Sequence, residues 1–259
     1  MILTVDIGNT TISLGVGAWE NGAVVVQSTT RLETNPSQDG NAYLAGLRAA
    51  LAGVDLGCLE GAILSSVVPC LVQPLREAVL GLLGREPVLL TAKSDTGLRL
   101  DIPEPDRVGL DRIVDAAWAA ACLPLPAVTV DLGTATTFNV IGPGGVFLGG
   151  VIAPGVETGL RALSSRAAQL PDVPLCTPKD AIGRNTTACM QVGAVTGAAA
   201  MIDGLTARFE AQLGAPAALV LTGGLARYVS PLCIHPHIYD PDLLTKGLVL
   251  LYQRNQKIV

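Results

Sequence analysis

The feature that most constrains this chain is a repeat. Thr4-Val5-Asp6-Ile7-Gly8-Asn9-Thr10-Thr11 returns as Thr129-Val130-Asp131-Leu132-Gly133-Thr134-Ala135-Thr136, about half of the 259-residue chain later. Each copy follows a short apolar segment of β character, residues 2–5 and 127–130. Each leads into another strand-like stretch, a glycine turn and a further strand. In the first copy these are residues 12–16, the turn Glu20-Asn21-Gly22 and residues 23–27. In the second they are residues 137–141, the turn Gly142-Pro143-Gly144-Gly145 and residues 146–150. One tetrapeptide repeated by chance would mean little. The same punctuation over about twenty residues, twice, predicts duplicated half-domains.

Between and after the copies, helical and strand signals alternate. Residues 41–52 and 72–83 carry apolar residues at helical spacing, with strands at 62–68 and 87–91. Residues 186–213 read as a long apolar helix with a glycine-rich crossing at Gly193 and Gly197. A strand at 217–222 and a last helix at 242–254 follow. Such alternation predicts parallel sheet segments covered by helices, in two halves that leave a cleft where a nucleotide sits. The expected division is residues 1–115 and 116–259, with room for the last helix to pack back on the first half.

Composition narrows the function. Hydrophobic residues make up 49% of the chain and charged residues 15%, enough apolar surface for a large core. Aromatics are only 3%, so Ala, Val, Leu and Gly must fill it. Net charge is −5, and there is no basic stripe of the kind a nucleic-acid footprint needs. The start lacks the basic region of a signal peptide. The weakly charged run between Asp115 and Asp131 is interrupted by Pro124 and Pro126 and falls short of the roughly 20 residues of a membrane span. It reads as helix, turn and buried strand, and the expected location is cytoplasmic. The six cysteines are scattered with no C-x-x-C pair, which predicts buried, reduced thiols. His235 and His237 are the only two histidines. Alone they cannot build a histidine-rich zinc site, and a loop or strand-edge role is expected for them.

The repeated turns carry the chemistry. A strand ends in Asp, and a glycine two positions on folds the chain back with amides exposed and small hydroxyl residues following. Converging amides and hydroxyls cradle an anion. The strand-end carboxylate can hold a hydrated Mg²⁺, which neutralises phosphate oxygens. A third glycine turn, Leu221-Thr222-Gly223-Gly224-Leu225-Ala226, also follows a strand and suits a wall for adenine and ribose. The Walker and Rossmann glycine motifs are both missing.

Taken together, these turns resemble the superfamily of acetate and sugar kinases, heat-shock chaperones and actin. Further stretches are similar to type III pantothenate kinases. They are Ser65-Ser66-Val67-Val68-Pro69, Val108-Gly109-Leu110-Asp111-Arg112, Gly149-Gly150-Val151-Ile152-Ala153-Pro154-Gly155, Ile182-Gly183-Arg184-Asn185-Thr186 and Asp242-Leu243-Leu244-Thr245-Lys246-Gly247-Leu248. They run in the family's order across nearly the whole chain. The resemblance implies an α/β, duplicated ribonuclease-H-like (actin-like ATPase) fold with a nucleotide cleft. It implies ATP-dependent phosphorylation of pantothenate to 4′-phosphopantothenate, the first step towards coenzyme A. A divalent cation such as Mg²⁺, activation by K⁺ or NH₄⁺, and a homodimer with its active site at the interface are implied as well.

Carried over by motif, Asp6, Ile7, Gly8, Asn9, Thr10, Thr11, Ile12 and Ser13 hold ATP phosphates, with Thr134 on the other side. Asp6 binds Mg²⁺ through water, and Asp131 helps bind the monovalent cation. Gly109, Leu110, Asp111 and Arg112 hold pantothenate, Thr186 reaches it across the interface, and Asp111 is the general base. The residue types suit the task. A primary alcohol attacking a phosphoryl group needs a positioned proton acceptor, and a guanidinium pairs bidentately with a carboxylate substrate.

Two positions depart from the pattern. Ile102 stands where the family carries a tyrosine that touches pantothenate, which removes one hydroxyl hydrogen bond. Asp115 stands where asparagine is common, three residues after Arg112, within pairing distance on a helix. Two other readings therefore stay open. One is a catalytically weak or inactive nucleotide-binding regulatory homologue, like Bvg accessory factor. The other is a kinase of another small hydroxy acid or sugar.

Overall fold

The computed structural model describes residues 1–167 and 169–256, which form two compact units. The first unit comprises Met1–Gly97, Pro103–Trp118 and the chain from Asp242 on. It opens with β1 (Ile2–Ile7), β2 (Thr11–Glu20) and β3 (Ala23–Glu33), joined as antiparallel neighbours. The β2–β3 hairpin closes in two residues, Asn21 and Gly22, with φ of 51° and 85°. This is the asparagine–glycine turn whose twist matches that of the flanking strands.

Helix α1 (Gly40–Ala50) starts where Asp39 Oδ1 accepts the Ala42 amide at 2.9 Å. Strand β4 (Gly61–Ser66) then runs parallel to β1. Helix α2 (Pro69–Leu83) begins on a proline and stops at the left-handed Gly84, and β5 (Val88–Leu89) completes a sheet in the order β3-β2-β1-β4-β5.

Alternation along the strands sets the two faces of this sheet. Leu3, Val5 and Ile7 of β1 and Ile12, Leu14 and Val16 of β2 pack with Tyr43 and Leu47 of α1 and Leu71, Leu75 and Val79 of α2. Each such burial contributes roughly 1.5–3 kcal/mol. The opposite face carries small residues because helices approach it closely. Helix α3 (Leu110–Cys122) begins in this unit, and α8 (Leu243–Asn255) crosses it. A Cβ on Gly247 would stand 2.7 Å from the Val114 carbonyl oxygen. One on Gly17 would lie 3.3 Å from Val249 Cγ2.

The second unit comprises Leu98–Ile102 and Ala119–Pro241. Its strands are β6 (Arg99–Leu100), β7 (Ala127–Leu132), β8 (Ala135–Gly142), β9 (Val146–Pro154), β10 (Ala218–Thr222) and β11 (Ile238–Tyr239), in the order β11-β10-β7-β8-β9-β6. The run β9-β8-β7-β10 repeats the pairing of β3-β2-β1-β4, two antiparallel joints and then one parallel. This is the duplicated actin-like arrangement. Helix α4 (Val156–Arg166) follows β9. A continuous helical run then joins α5 (Thr186–Gln191), a π-wound turn at Val192–Thr196 and α6 (Gly197–Leu213), and α7 (Ala226–Val229) follows β10. Val128, Val130, Leu132 and Phe138 bury against Val195, Ala199 and Ile202 of the helical run. Phe138 meets Phe209 edge-on at 6.1 Å.

Thr186–Leu213 is, among the described residues, the helical stretch long and apolar enough by composition to cross a membrane, and its Val195, Ala199 and Ile202 are buried in this core. The expected glycine crossing is not made within the chain. Gly193 and Gly197 face open space, and the helix is π-wound there.

The cysteines also depart from expectation. All six are free thiols, but Cys58, Cys70, Cys122, Cys176 and Cys189 are exposed and Cys233 is half-buried. They sit at element ends and in connections, where the strands and helices already have Leu, Val and Ala to bury. The histidines follow the expected role. They tie the segment before β11 down, with His235 Nε2 3.1 Å from Glu210 Oε1 and His237 Nε2 2.8 Å from Ser230 Oγ.

Candidate active site

In the first unit, β1 delivers Asp6 to the end of the sheet, only 8% exposed. Beyond it the chain turns through residues 8–11, and the Gly8 amide donates to the Thr11 carbonyl at 3.0 Å. Thr34, just past β3, ties this turn down. Its hydroxyl donates to Gly8 O at 2.7 Å and its amide to Thr10 O at 3.1 Å. Both carbonyls are thereby turned towards the end of β3. Asn9 and Thr10 are exposed at the tip. Ile7 and Ile12 are fully buried, so only their backbone groups can serve a phosphate.

The Gly109–Arg112 turn lies at the same end of this unit. The Val67 amide, in the connection after β4, donates to Ile7 O at 3.0 Å. Val67 Cγ1 stands 3.7 Å from where a Gly109 Cβ would be. Gly109 in turn packs against the Asp111 carboxylate. Thus β1, the β4–α2 connection and the first turn of α3 form a contiguous chain of contacts. The acidic Asp111 sits in the first helical turn, where the helix dipole favours a carboxylate, and its Oδ1 accepts the Arg112 amide at 2.8 Å. Arg112 is half-buried. Burial pulls its guanidinium below the ordinary value, and neighbouring Asp111 opposes that shift. Asp115, one turn on, is buried at 2% exposure, so it belongs to the interior of the unit rather than to its surface.

The second unit builds a matching end. Asp131 pairs with Thr137 across β7–β8, where Asp6 pairs with Ser13, so the second turn is one residue shorter. Its Gly133 amide donates to Ala135 O at 3.0 Å. The Thr134 carbonyl is held by the Gly155 amide at 3.2 Å and by Thr158 Oγ1 at 2.8 Å. Both holders lie at the start of α4, so the positive end of that helix adjoins the turn. The third glycine turn backs onto Asp131. Gly223 has φ of 92°, and a Cβ there would run into Asp131 Oδ1. The Leu225 amide reaches Leu132 O at 3.1 Å, repeating what Val67 does for Ile7.

The predicted residues therefore fall into two groups. Asp6 to Ser13 and Gly109 to Arg112 share one end of the first unit. Asp131 and Thr134 share one end of the second with Gly223. Ile102 is half-buried in the second unit, 3.8 Å from the position of a Gly149 Cβ, and Thr186 is exposed at the start of α5. Neither belongs to the Asp6–Asp111 group. Thr34, Val67 and Thr158 were not legible as site residues. For Thr158 a signal existed, since Val156, Leu160 and Leu163 recur at helical spacing just after the Gly155 motif. A cavity of about 670 Å³ lies between the far side of α4 and residues 172–175, and none of the predicted residues lines it.

Residues 2–208 match the family described as type III pantothenate kinase. A protein of that name from Moorella thermoacetica is 38% identical over 257 residues, covering 98% of this chain and 100% of its own. Another, from Exiguobacterium sibiricum, is 38% identical over 258 residues, covering 99% and 100%. Two solved structures share the fold. One, described as a conserved protein of the Baf family from Campylobacter jejuni, superposes with a TM-score of 0.61 at 20% identity, covering 98% of this chain and 99% of that one. The ethanolamine utilization protein EutJ from Carboxydothermus hydrogenoformans gives 0.52 at 18% identity, covering 96% and 89%. Full-length similarity at this level, together with the paired turns, is decisive: the chain belongs to the type III pantothenate kinase family.

Proposed function

We propose that this chain transfers the γ-phosphoryl group of ATP to the primary hydroxyl of pantothenate, giving 4′-phosphopantothenate for coenzyme A synthesis. As a member of its family it is an ATP-using kinase of a small molecule. The observation that carries the residue assignment is the contact chain from Ile7 through Val67 to Gly109 and Asp111. It supports a phosphate turn and a proton acceptor working on one reaction.

In this reading the residues 8–11 turn and Thr134 hold ATP phosphates. Arg112 orients the pantothenate carboxylate, and Asp111 accepts the proton of the attacking hydroxyl. A loose phosphoryl-transfer transition state asks the protein mainly for positioning and charge, which rigid strand ends and helix starts supply. A divalent cation, when bound, neutralises phosphate oxygens. The residues fit such an ion. Among the described residues no three His, Cys, Asp or Glu side chains gather, and Mg²⁺ is commonly held by one carboxylate, waters and phosphates. Asp6 is that carboxylate, and Asp131 contributes to the K⁺ or NH₄⁺ site. For the homodimer, support comes from exposed apolar residues of the second unit, Ile152 at 65% and Ile182 at 78%, and from the open Gly193 and Gly197.

Phosphate transfer from ATP to pantothenate, measured in a coupled assay against a blank without pantothenate and with or without K⁺, tests the activity. Turnover that is independent of pantothenate would refute it. Ile102 favours a second reading, a different hydroxy acid as acceptor, because its side chain offers an apolar contact where a hydroxyl is expected. A panel of hydroxylated acids at fixed ATP separates the two.

A further inference from the structure

The motif Ser65-Ser66-Val67-Val68-Pro69 contributes Val67 to the site, but its first serine, Ser65, has no role so far. Ser65 is completely buried, and its Oγ has no hydrogen-bond partner. Buried hydroxyls are nearly always satisfied, so an orphan at a candidate site points to a water or ion. The register locates this one. Ser65 lies beside Asp6 in the parallel β1–β4 ladder, and side-by-side residues on neighbouring strands project from the same face, about 5 Å apart. That spacing lets a hydroxyl and a carboxylate share a water. The second unit repeats the pair, with buried Thr222 of β10 beside Asp131 of β7. A hydroxyl opposite each turn aspartate is part of the duplicated design.

We infer that Ser65 is a positioning residue whose hydroxyl holds a water of the divalent cation's hydration shell beside Asp6. Mg²⁺ keeps several of its waters when protein-bound, and those waters need fixed acceptors. An outer-shell partner of this kind affects metal affinity by roughly 10–100-fold. The inference rests on reading Asp6 as the carboxylate of the cation site.

The test is a Mn²⁺ titration by electron paramagnetic resonance on the full chain with a non-hydrolysable ATP analogue, alongside analogue affinity without metal and thermal melting. Ser65→Ala is expected to weaken Mn²⁺ binding about tenfold or more, with metal-free analogue affinity and melting temperature unchanged. Ser65→Thr, which keeps the hydroxyl, is expected to retain binding. Should Ser65→Ala not fold, the similarly sized Ser65→Cys, whose thiol is a poor acceptor, reports in its place. Thr206 on α6 carries another buried hydroxyl without a partner, and Thr206→Val is expected to leave Mn²⁺ binding intact. Mn²⁺ affinity within about twofold of wild type in Ser65→Ala overturns the inference. So does an equal loss in Thr206→Val. If Asp6→Asn binds Mn²⁺ as wild type does, the Asp6 reading itself falls, and the inference falls with it.

Discussion

Replacing Gly223 with alanine separates two costs that the structure assigns to different places. Gly223 takes φ of 92° where β10 leaves the sheet, and its missing Cβ is the space that Asp131 and Leu132 occupy. A Cβ would press on Asp131 Oδ1 and stand 2.7 Å from both the amide and the carbonyl oxygen of Leu132. Gly144, in the β8–β9 turn, has φ of 73° but nothing within 4 Å of a Cβ. Gly144→Ala therefore meets only the backbone cost of a left-handed residue, about 1–2 kcal/mol. Gly223→Ala meets that cost and an overpacking cost of roughly 1–3 kcal/mol. Any stiffening of the unfolded chain is common to both and cancels in the difference. At about 2–4 °C per kcal/mol, Gly223→Ala should melt roughly 2–12 °C below Gly144→Ala. Paired thermal melts measure this. Relief of the clash moves Asp131, so on the proposed role of Asp131 at a monovalent-cation site the K⁺ response in the kinase assay should fall in Gly223→Ala and persist in Gly144→Ala. Equal melting of the two variants, with the K⁺ response retained in both, would refute the packing of the Gly223 turn on Asp131.

Asp111→Asn should lower kcat by on the order of 10²–10⁴ while leaving ATP affinity, measured by calorimetry, unchanged. Thr158→Val removes one of two donors to the Thr134 carbonyl, a loss of about 0.5–1.5 kcal/mol that should raise the KM for ATP roughly two- to twelvefold in steady-state assays. Glu210 is held below the usual carboxylate range, first by the Ala217 amide and then by His235. A depressed folded-state value stabilises above the unfolded value and is lost as pH falls through the folded one, so Glu210→Gln should flatten the acid limb of melting temperature against pH. Burial pushes the Cys233 thiol up to about 12. In a thiol titration at mild alkaline pH it should react last, and Cys58, raised by its hydrogen bond to Asp55, should lag the other exposed thiols.

What was legible in the sequence was what short-range chemistry dictates. The Asp-x-Gly turns, the Asn21-Gly22 hairpin and the strands flanking them announce themselves because strand period and turn residues are local. Helix α4 was not anticipated, since its start lacks a side-chain cap. Strands β6 and β11 are two residues each, set by pairing with β9 and β10 rather than by propensity. The nearness of Gly109 to Val67, and of Gly223 to Asp131, is tertiary and follows from strand order. The cysteines were misjudged because burial preference by residue type yields to position, and five of the six stand where the core does not cover them.

The first unit is assembled from three stretches of chain, the last of them α8, which covers the face of β1, β2 and β4 that carries Asp6 and Ser65. A nascent chain leaving the ribosome can finish the second unit before that stretch emerges. The sheet that bears the residues 8–11 turn must wait half covered, a long-range closure of the slow kind. Products of premature termination before Asp242 would carry every residue of both turns and still lack the layer that covers the sheet bearing the first of them.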